Sequence, residues 1–290
     1  MHSKTIYLNG QRVAEDAARI SIFDRGFQFG DSVYEVIRCY NGVPFLLDEH
    51  LSRLERSLRE LSIDLPQPMS EIRDLCVKAA REQGRSPSVL YIQITRGVAD
   101  RSYSPPSGLV PTFVLYCEDK PVTAERVYAE GISVAVLEDI RWLRCDIKST
   151  SLVASVFQKM SAAAKGADDV LLERAGVGVV ESGSGNLFVV KDGCITTAPE
   201  GNLILSGTSR ALVLQLARGL SIPIKLAVPQ TAEIYSADEV FITSTTAEVL
   251  PVCRVDSVRI ADGTPGPISR RLLRAYRAEV TRETNYHYEE

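Results

Sequence analysis

Apolar and polar positions alternate over TIYL (5–8) and again over QRVA (11–14), on either side of Asn9-Gly10. That pattern predicts a hairpin, because Asn and Gly tolerate the positive φ that both turn positions of a tight hairpin require. A second Asn-Gly pair, Asn41-Gly42, closes the longer run VYEVIRCY. There the two-residue period puts Tyr34, Val36, Arg38 and Tyr40 on one strand face. Two tyrosines and an arginine make that face polar and rich in donors, unlike a plain core strand. From Asp48 the period lengthens to that of a helix, with Asp48 as its cap, Leu51, Leu54, Leu58 and Leu61 as its apolar stripe, and Arg53 beside the stripe. A further helix is predicted from Ser70 to Gly84. Two strands follow, VLYIQITRG and TFVLYCED, separated by the polar loop VADRSYSPPSGLVP. That loop is longer than a hairpin needs, and such loops often carry function.

The composition turns polar from Glu118 to Glu130, which predicts a domain of residues 1–118, a linker of residues 119–130 and a larger domain of residues 131–290. The second domain opens with ISVAVLEDIRWLRCDIKS, an apolar, β-prone run that ends at Lys148. An Ala-rich helix, LVASVFQKMSAAAKG, is stopped by Gly166. Strands are predicted at DDVLLE, GVVES, NLFVVKDG, CITTA and EVFITST, and an Arg-rich helix at ISRRLLRAYRAEV. Hairpins interleaved with helices predict α+β or mixed α/β domains rather than one doubly wound parallel sheet.

Composition narrows the class. A chain of 290 residues has room for two domains, and 45% hydrophobic with 24% charged residues is the balance of a soluble globular protein. No apolar run reaches the roughly 18 residues of a membrane span, and MHSKTIYLNG does not read as a signal peptide, so a cytoplasmic protein is expected. A net charge of -4 gives no basic footprint for nucleic acid. The six cysteines are scattered without a Cys-x-x-Cys pair, as in a reducing compartment. With three histidines, His2, His50 and His287, a His-rich metal cluster is not expected, and proton transfer falls to Lys, Tyr, Asp or Glu. The P-loop, dinucleotide and nucleophile-elbow motifs are all missing.

Four features carry candidate chemistry, each with a plainer alternative. Lys148 is either a solvated surface group or a half-buried amine that has lost hydration and can form a Schiff base. Gly207-Thr208-Ser209 sits between a strand end and a helix, where free N–H groups and the helix dipole suit an anion; the alternative is an ordinary cap. Ser244, Thr245 and Thr246 form a hydroxyl-rich turn before a predicted short helix. Glu181 ends the β-like run GVGVV before the small-residue turn SGSGN, placed either to pair with a heteroaromatic N–H or to face solvent.

Taken together, FDRGFQFGDSVYE, LEDIRWLRCDIKS, ESGSGNLF, LILSGTSR and FITSTTAE follow one another in the order of the class IV (fold type IV) pyridoxal phosphate aminotransferases, which the chain resembles over nearly its whole length. LEDIRWLRCDIKS is similar, almost letter for letter, to the cofactor-lysine run of the D-amino acid transaminases. The resemblance implies a two-domain fold with the active site in the cleft between domains, and a homodimer whose partner contributes loop residues. It implies a ping-pong transfer of an amino group between D-amino acids and 2-oxo acids such as pyruvate or 2-oxoglutarate. It gives Lys148 the Schiff base to pyridoxal 5'-phosphate and the proton shuttle, Glu181 the pyridine nitrogen, and Tyr34 a place in the pocket beside the lysine. Arg53, Gly207, Thr208, Ser209, Ser244 and Thr245 would bind the phosphate, and Leu205 would pack under the ring. The substrate carboxylate falls to Arg101, Tyr103, Arg38 and Tyr34. The chain departs from the D-specific pattern at Arg101-Ser102-Tyr103, where those enzymes carry Arg-x-His. Arg-x-Tyr-Ser is closer to the aminodeoxychorismate lyases and Arg38 to the branched-chain transaminases. Those activities and (R)-amine transamination are therefore the alternatives.

Overall fold

The computed structural model of the chain describes residues 4–288. Two compact units divide it: Met1–Pro121 with Ile147–Leu152 and Val280–Glu290, and Val122–Asp146 with Val153–Glu279.

The first unit contains β1 (Thr5–Leu8), β2 (Gln11–Val13), α1 (Arg25–Phe29), β3 (Ser32–Tyr40), β4 (Val43–Pro44), α2 (Leu47–Glu60), α3 (Met69–Gln83), β5 (Ser88–Thr95) and β6 (Phe113–Asp119). Its six described strands form one antiparallel sheet in the order β2-β1-β6-β5-β3-β4. Both Asn-Gly turns close hairpins as expected, with φ of 49° and 78° at Asn9-Gly10 and 52° and 73° at Asn41-Gly42. Leu51, Leu54 and Leu58 of α2 and Ile72, Ala79 and Ala80 of α3 meet Ile37, Leu90, Ile92, Phe113 and Leu115 of the sheet in one core. Asp48 is not the cap of α2. The helix begins at Leu47 after Leu46, which adopts a left-handed φ of 55° with no side-chain cap. Asp48 lies instead in the first turn, where its charge complements the helix dipole, and pairs with Arg73 at 2.9 Å.

The FDRGFQFGD run stitches this unit together. Asp24 caps α1 through the Gly26 N–H (2.8 Å) and accepts from the hydroxyls of Thr95 (3.0 Å) and Thr112 (2.6 Å). A Cβ on Gly26 would collide with the Thr95 side chain, and Gly30 ends the helix in the left-handed region at φ +66°.

The second unit contains α4 (Glu125–Glu130), β7 (Ile132–Glu138), α5 (Val153–Ala164), β8 (Asp169–Arg174), β9 (Gly178–Ser182), β10 (Asn186–Lys191), β11 (Cys194–Thr197), α6 (Thr208–Gly219), β12 (Ile224–Leu226), α7 (Thr231–Tyr235), β13 (Glu239–Ser244), β14 (Glu248–Val255) and β15 (Val258–Arg259). The last helix, α8 (Pro267–Thr284), runs on into the residues grouped with the first unit. Its sheet is mixed: β12-β11-β10-β13-β14-β7-β8-β9, with β15 beside β14 and parallel pairs at β11/β12, β14/β7 and β7/β8. Ala135, Val170, Leu172 and Val180 of the sheet pack with Ala162 of α5.

Three expectations are corrected here. Residues 119–130 are not a plain linker: α4 lies within them, Tyr128 is buried, and its hydroxyl contacts Glu248 at 3.4 Å. The turn after β13 leads straight into β14 with Ser244 opposite Glu248, so the short helix expected there is absent. The lysine run is not a strand to its end. β7 stops at Glu138, and Lys148 falls in the first unit rather than the second, because Ile147 is buried in that unit's core.

Candidate active site

Residues 147–150 lie against the outer edge of β3, which β4 covers only at Cys39 and Tyr40. Ser149 bridges to Val33, the Tyr34 N–H donates to the Lys148 carbonyl (3.0 Å), and the Thr150 N–H donates to the Ser32 carbonyl (3.1 Å). On its other side the Lys148 N–H donates to the Ser57 hydroxyl of α2 at 3.3 Å. The backbone of the lysine is thus fixed at both polar groups, while its Nζ lies 4.3 Å from the centroid of the Tyr34 ring. Among the described residues that amine has no carboxylate partner. Tyr34 in turn stacks on Tyr91 (5.8 Å), and Tyr91 on Tyr116 (5.0 Å). Burial pushes the Tyr91 and Tyr116 hydroxyls up, so these two stay neutral.

On the opposite face of β3, Glu35 is fully buried and takes Arg53 Nε (2.7 Å) and Nη2 (2.8 Å), while His50 Nδ1 lies 2.7 Å from its second oxygen. Burial works to raise the Glu35 carboxyl, but Arg53 and then His50 outweigh it and hold it well below the usual carboxylate range. Burial pulls the His50 imidazole down. The Arg53 guanidinium is therefore clamped along one edge.

The residues assigned to the substrate carboxylate lie apart from one another. Arg101 and Tyr103 project from the exposed loop onto Phe29, at 4.7 Å and 5.8 Å from its ring. Buried Arg25 holds that loop by donating to the Ser102 carbonyl (2.6 Å), and pairs with Asp31 (2.8 Å). Among the described residues, neither Arg101 nor Tyr103 makes a hydrogen bond, ion pair or ring contact with Lys148 or Tyr34. Arg38 is 2% exposed, 5.6 Å from the Tyr40 ring, and none of its three guanidinium nitrogens has a hydrogen-bond partner among the described residues. As packed, it is sealed from a soluble anion, which differs from the expected substrate-facing cation.

In the second unit Glu181 ends β9 and is 4% exposed. Its Oε1 accepts from Asn186 Nδ2 (3.0 Å) and the Leu205 N–H (2.8 Å), and its Oε2 from Arg141 Nη1 (2.5 Å). Burial pushes the Glu181 carboxyl up, and Arg141 pulls it partly back. Leu205 is thus tied to Glu181 through its backbone. Asn186 Nδ2 also donates to the Leu205 carbonyl (2.9 Å), and a Cβ on Gly207 would overlap its Oδ1, so only glycine fits there. Gly207 caps α6 without a side-chain hydrogen bond, and the helical ladder starts with the Ala211 N–H to the Gly207 carbonyl. The N–H groups of Thr208, Ser209 and Arg210 therefore precede the ladder, as an anion site requires. The Ser209 hydroxyl lies 3.1 Å from that of Tyr276. Thr245 sits in the three-residue turn between β13 and β14, and Ser244 Oγ accepts the Ala247 N–H at 3.1 Å.

These residues fit pyridoxal 5'-phosphate by their chemistry. An unpaired amine on a fixed backbone suits an aldehyde, a buried carboxylate held by three donors suits a ring N–H, and a glycine-capped helix start suits a phosphate. Sequence reasoning did not assign Glu35, His50, Asn186 or Arg141. For Arg141 a local signal existed: Asp139 and Arg141 stand two apart in a run, LEDIRWLRCDIKS, where charged residues interrupt β-prone apolar ones.

The amino-transferase class IV family profile matches residues 32–255. The D-alanine aminotransferase of Bacillus licheniformis is 40% identical over 281 residues, 96% of this chain and 98% of that protein. The D-alanine aminotransferase of Listeria monocytogenes serotype 1/2a is 38% identical over 279 residues, 96% of each chain. Among solved structures, the branched-chain amino acid aminotransferase of Escherichia coli matches with a TM-score of 0.91 at 26% identity, covering 97% of this chain and 96% of that one. The branched-chain aminotransferase of the thermophilic archaeon Thermoproteus uzoniensis, solved with norvaline, matches with a TM-score of 0.86 at 26% identity, covering 98% and 97%.

Proposed function

Because the chain belongs to the class IV aminotransferases, which work with pyridoxal 5'-phosphate, we propose that it moves an amino group between D-amino acids and 2-oxo acids. The observation that carries this reading is Lys148, with both backbone polar groups engaged and its amine over the Tyr34 ring without a carboxylate partner among the described residues. The cofactor, when bound, supplies the electron sink for the carbanion that deprotonation at Cα creates. Lys148 Nζ would hold the cofactor through its aldehyde and, as a free amine, would take up and return the proton of the substrate Cα. Tyr34 gives the Lys148 Nζ a π face at 4.3 Å. Glu181, tied to the Leu205 N–H, would set its carboxylate against the ring N–H of the cofactor. Arg53, oriented by Glu35, binds the phosphate together with Gly207, Thr208, Ser209, Ser244 and Thr245. Arg101 and Tyr103 take the substrate carboxylate.

Identity of 38–40% to D-alanine aminotransferases, against 26% to the two branched-chain enzymes, supports D-amino acid substrates over branched-chain L-amino acids. The experiment is a half-reaction. The holoenzyme is mixed with D-alanine, D-glutamate or L-leucine, and the loss of the visible cofactor band is timed. Faster reaction with L-leucine would replace this reading by the branched-chain one, which Arg38 in YEVIRCY and the fold matches favour.

A homodimer is part of the same reading. The α5 residues Val153 (82% exposed), Val156, Phe157 and Met160 fall at helical spacing on one uncovered apolar face, the kind of surface that a second copy covers. No helix among the described residues is long and apolar enough to cross a membrane, and the reading places the enzyme in the cytoplasm.

A further inference from the structure

A buried chain of alternating charges lies behind Glu181 in the second unit. Arg174 Nη2 donates to Asp139 Oδ2 at 2.7 Å, and both Asp139 oxygens accept from Arg141, at 2.9 Å and 3.0 Å. Arg141 then donates to Glu181 at 2.5 Å and to the Leu203 carbonyl at 3.4 Å. The Asp139 and Glu181 side chains are 0% and 5% exposed and those of Arg141 and Arg174 are 15% and 13% exposed, so water screens none of these contacts well. The remaining titratable neighbours acting on this group are Cys145, which lies close to Arg141, and Arg210.

The arrangement is more than an anchor. Arg141 already has a carboxylate of its own in Asp139, bound through two nitrogens and held from behind by Arg174. It reaches Glu181 with its third nitrogen only, so its position is set by Asp139 and not by Glu181. A buried carboxylate without a cation takes up a proton. Glu181 would then be a neutral acid, donating its hydrogen bond instead of accepting one.

Resting on the aminotransferase reading above, we infer that Arg141 is a positioning and charge-setting residue for the cofactor ring: by holding Glu181 ionised from behind, it leaves the shared proton on the pyridine nitrogen. Asp139 and Arg174 serve it by fixing the guanidinium in plane. With Arg141 neutralised, the proton moves to Glu181, the ring loses its charge and the electron sink weakens, while the residues that bind phosphate and substrate are untouched.

The test uses holoenzyme reconstituted with cofactor labelled with 15N at the ring nitrogen, whose NMR shift reports protonation directly. The wild type should show the protonated shift at neutral pH, Arg141→Gln the unprotonated one, and Arg141→Lys a shift near the wild type because the charge is kept. Turnover of Arg141→Gln should fall by roughly tenfold or more in kcat, with KM for the amino acid little changed. A protonated ring in Arg141→Gln overturns the inference. Should that variant fail to fold, the wild-type titration decides: a ring proton kept into mildly alkaline pH supports the inference, and one lost near neutrality overturns it. A wild type that takes up no cofactor on Lys148 would instead sink the aminotransferase reading itself, a separate outcome.

Discussion

Arg53 and Lys148 represent two ways in which this chain fixes a basic side chain. Arg53 is clamped along one edge by a buried carboxylate, and Lys148 is fixed through its backbone. Arg53→Ala should therefore loosen the cofactor, raising its dissociation constant by roughly tenfold or more, since a charge-assisted bond to phosphate contributes about 1.5–3 kcal/mol. Equilibrium dialysis with pyridoxal 5'-phosphate checks this, and unchanged affinity would show that Arg53 only braces β3. Borohydride reduction and peptide mapping should place the pyridoxyl group on Lys148 and not on Lys159, which is paired with Asp169 at 2.8 Å. Glu181→Gln should keep the cofactor but slow the half-reaction by roughly a hundredfold, about 2.7 kcal/mol of barrier. Lys148 and Glu181 stand out as candidates in the sequence because each closes a β-like run in a distinctive local context. Glu35 does not, although it sits next to Tyr34. In the two-residue alternation of β3 it reads as a core position, and its partners come from the following helix, a contact that no local pattern encodes.

Tight turns were the most legible elements. Asn9-Gly10, Asn41-Gly42 and Asp192-Gly193 each pair a residue at φ near 50° with a glycine at φ of 73–78°, the geometry that those dipeptides announce. Helix starts were less so: α2 begins after a left-handed Leu46, which no capping rule anticipates. The strand expected to run to Lys148 failed for a related reason. Its apolar letters belong to two different cores, and the charges between them belong to the ion-pair chain. At this scale α5 offers the sharpest test. Phe157→Glu with Met160→Glu places two charges on the uncovered apolar face and should convert a dimer to a monomer in light scattering. A double variant that keeps the wild-type mass would move the self-association surface elsewhere.

Over the molecule as a whole, buried carboxylates set the response to acid. Glu35, Asp31 and Asp139 all titrate below their ordinary range; burial opposes this, and arginines outweigh it, with His50 assisting at Glu35. For such groups the unfolded chain binds more protons, so their stabilisation is present above the unfolded carboxylate value of about 4 and is lost as the pH falls through the folded values. Glu181 has the opposite sign: burial raises it, so its contribution weakens as the pH rises through its folded value. Urea unfolding midpoints should therefore drop steeply below about pH 4, and Glu35→Gln should flatten that drop while lowering the midpoint near neutrality. An unchanged slope in that variant would remove Glu35 from the acid response. Domain order was harder to read than local structure, because the first unit is not one stretch of chain. It takes back residues 147–152 and then everything from Val280. During synthesis the residues up to 121 precede the lysine segment, so the outer rim of β3 stays unsealed until that segment follows, and Tyr40 waits longer still for Tyr286 to pack against it, tilted, at 5.1 Å. A nascent chain must carry that open strand edge through the synthesis of Val122–Asp146. A fragment ending at residue 121 is accordingly expected to associate through that rim rather than to stand alone.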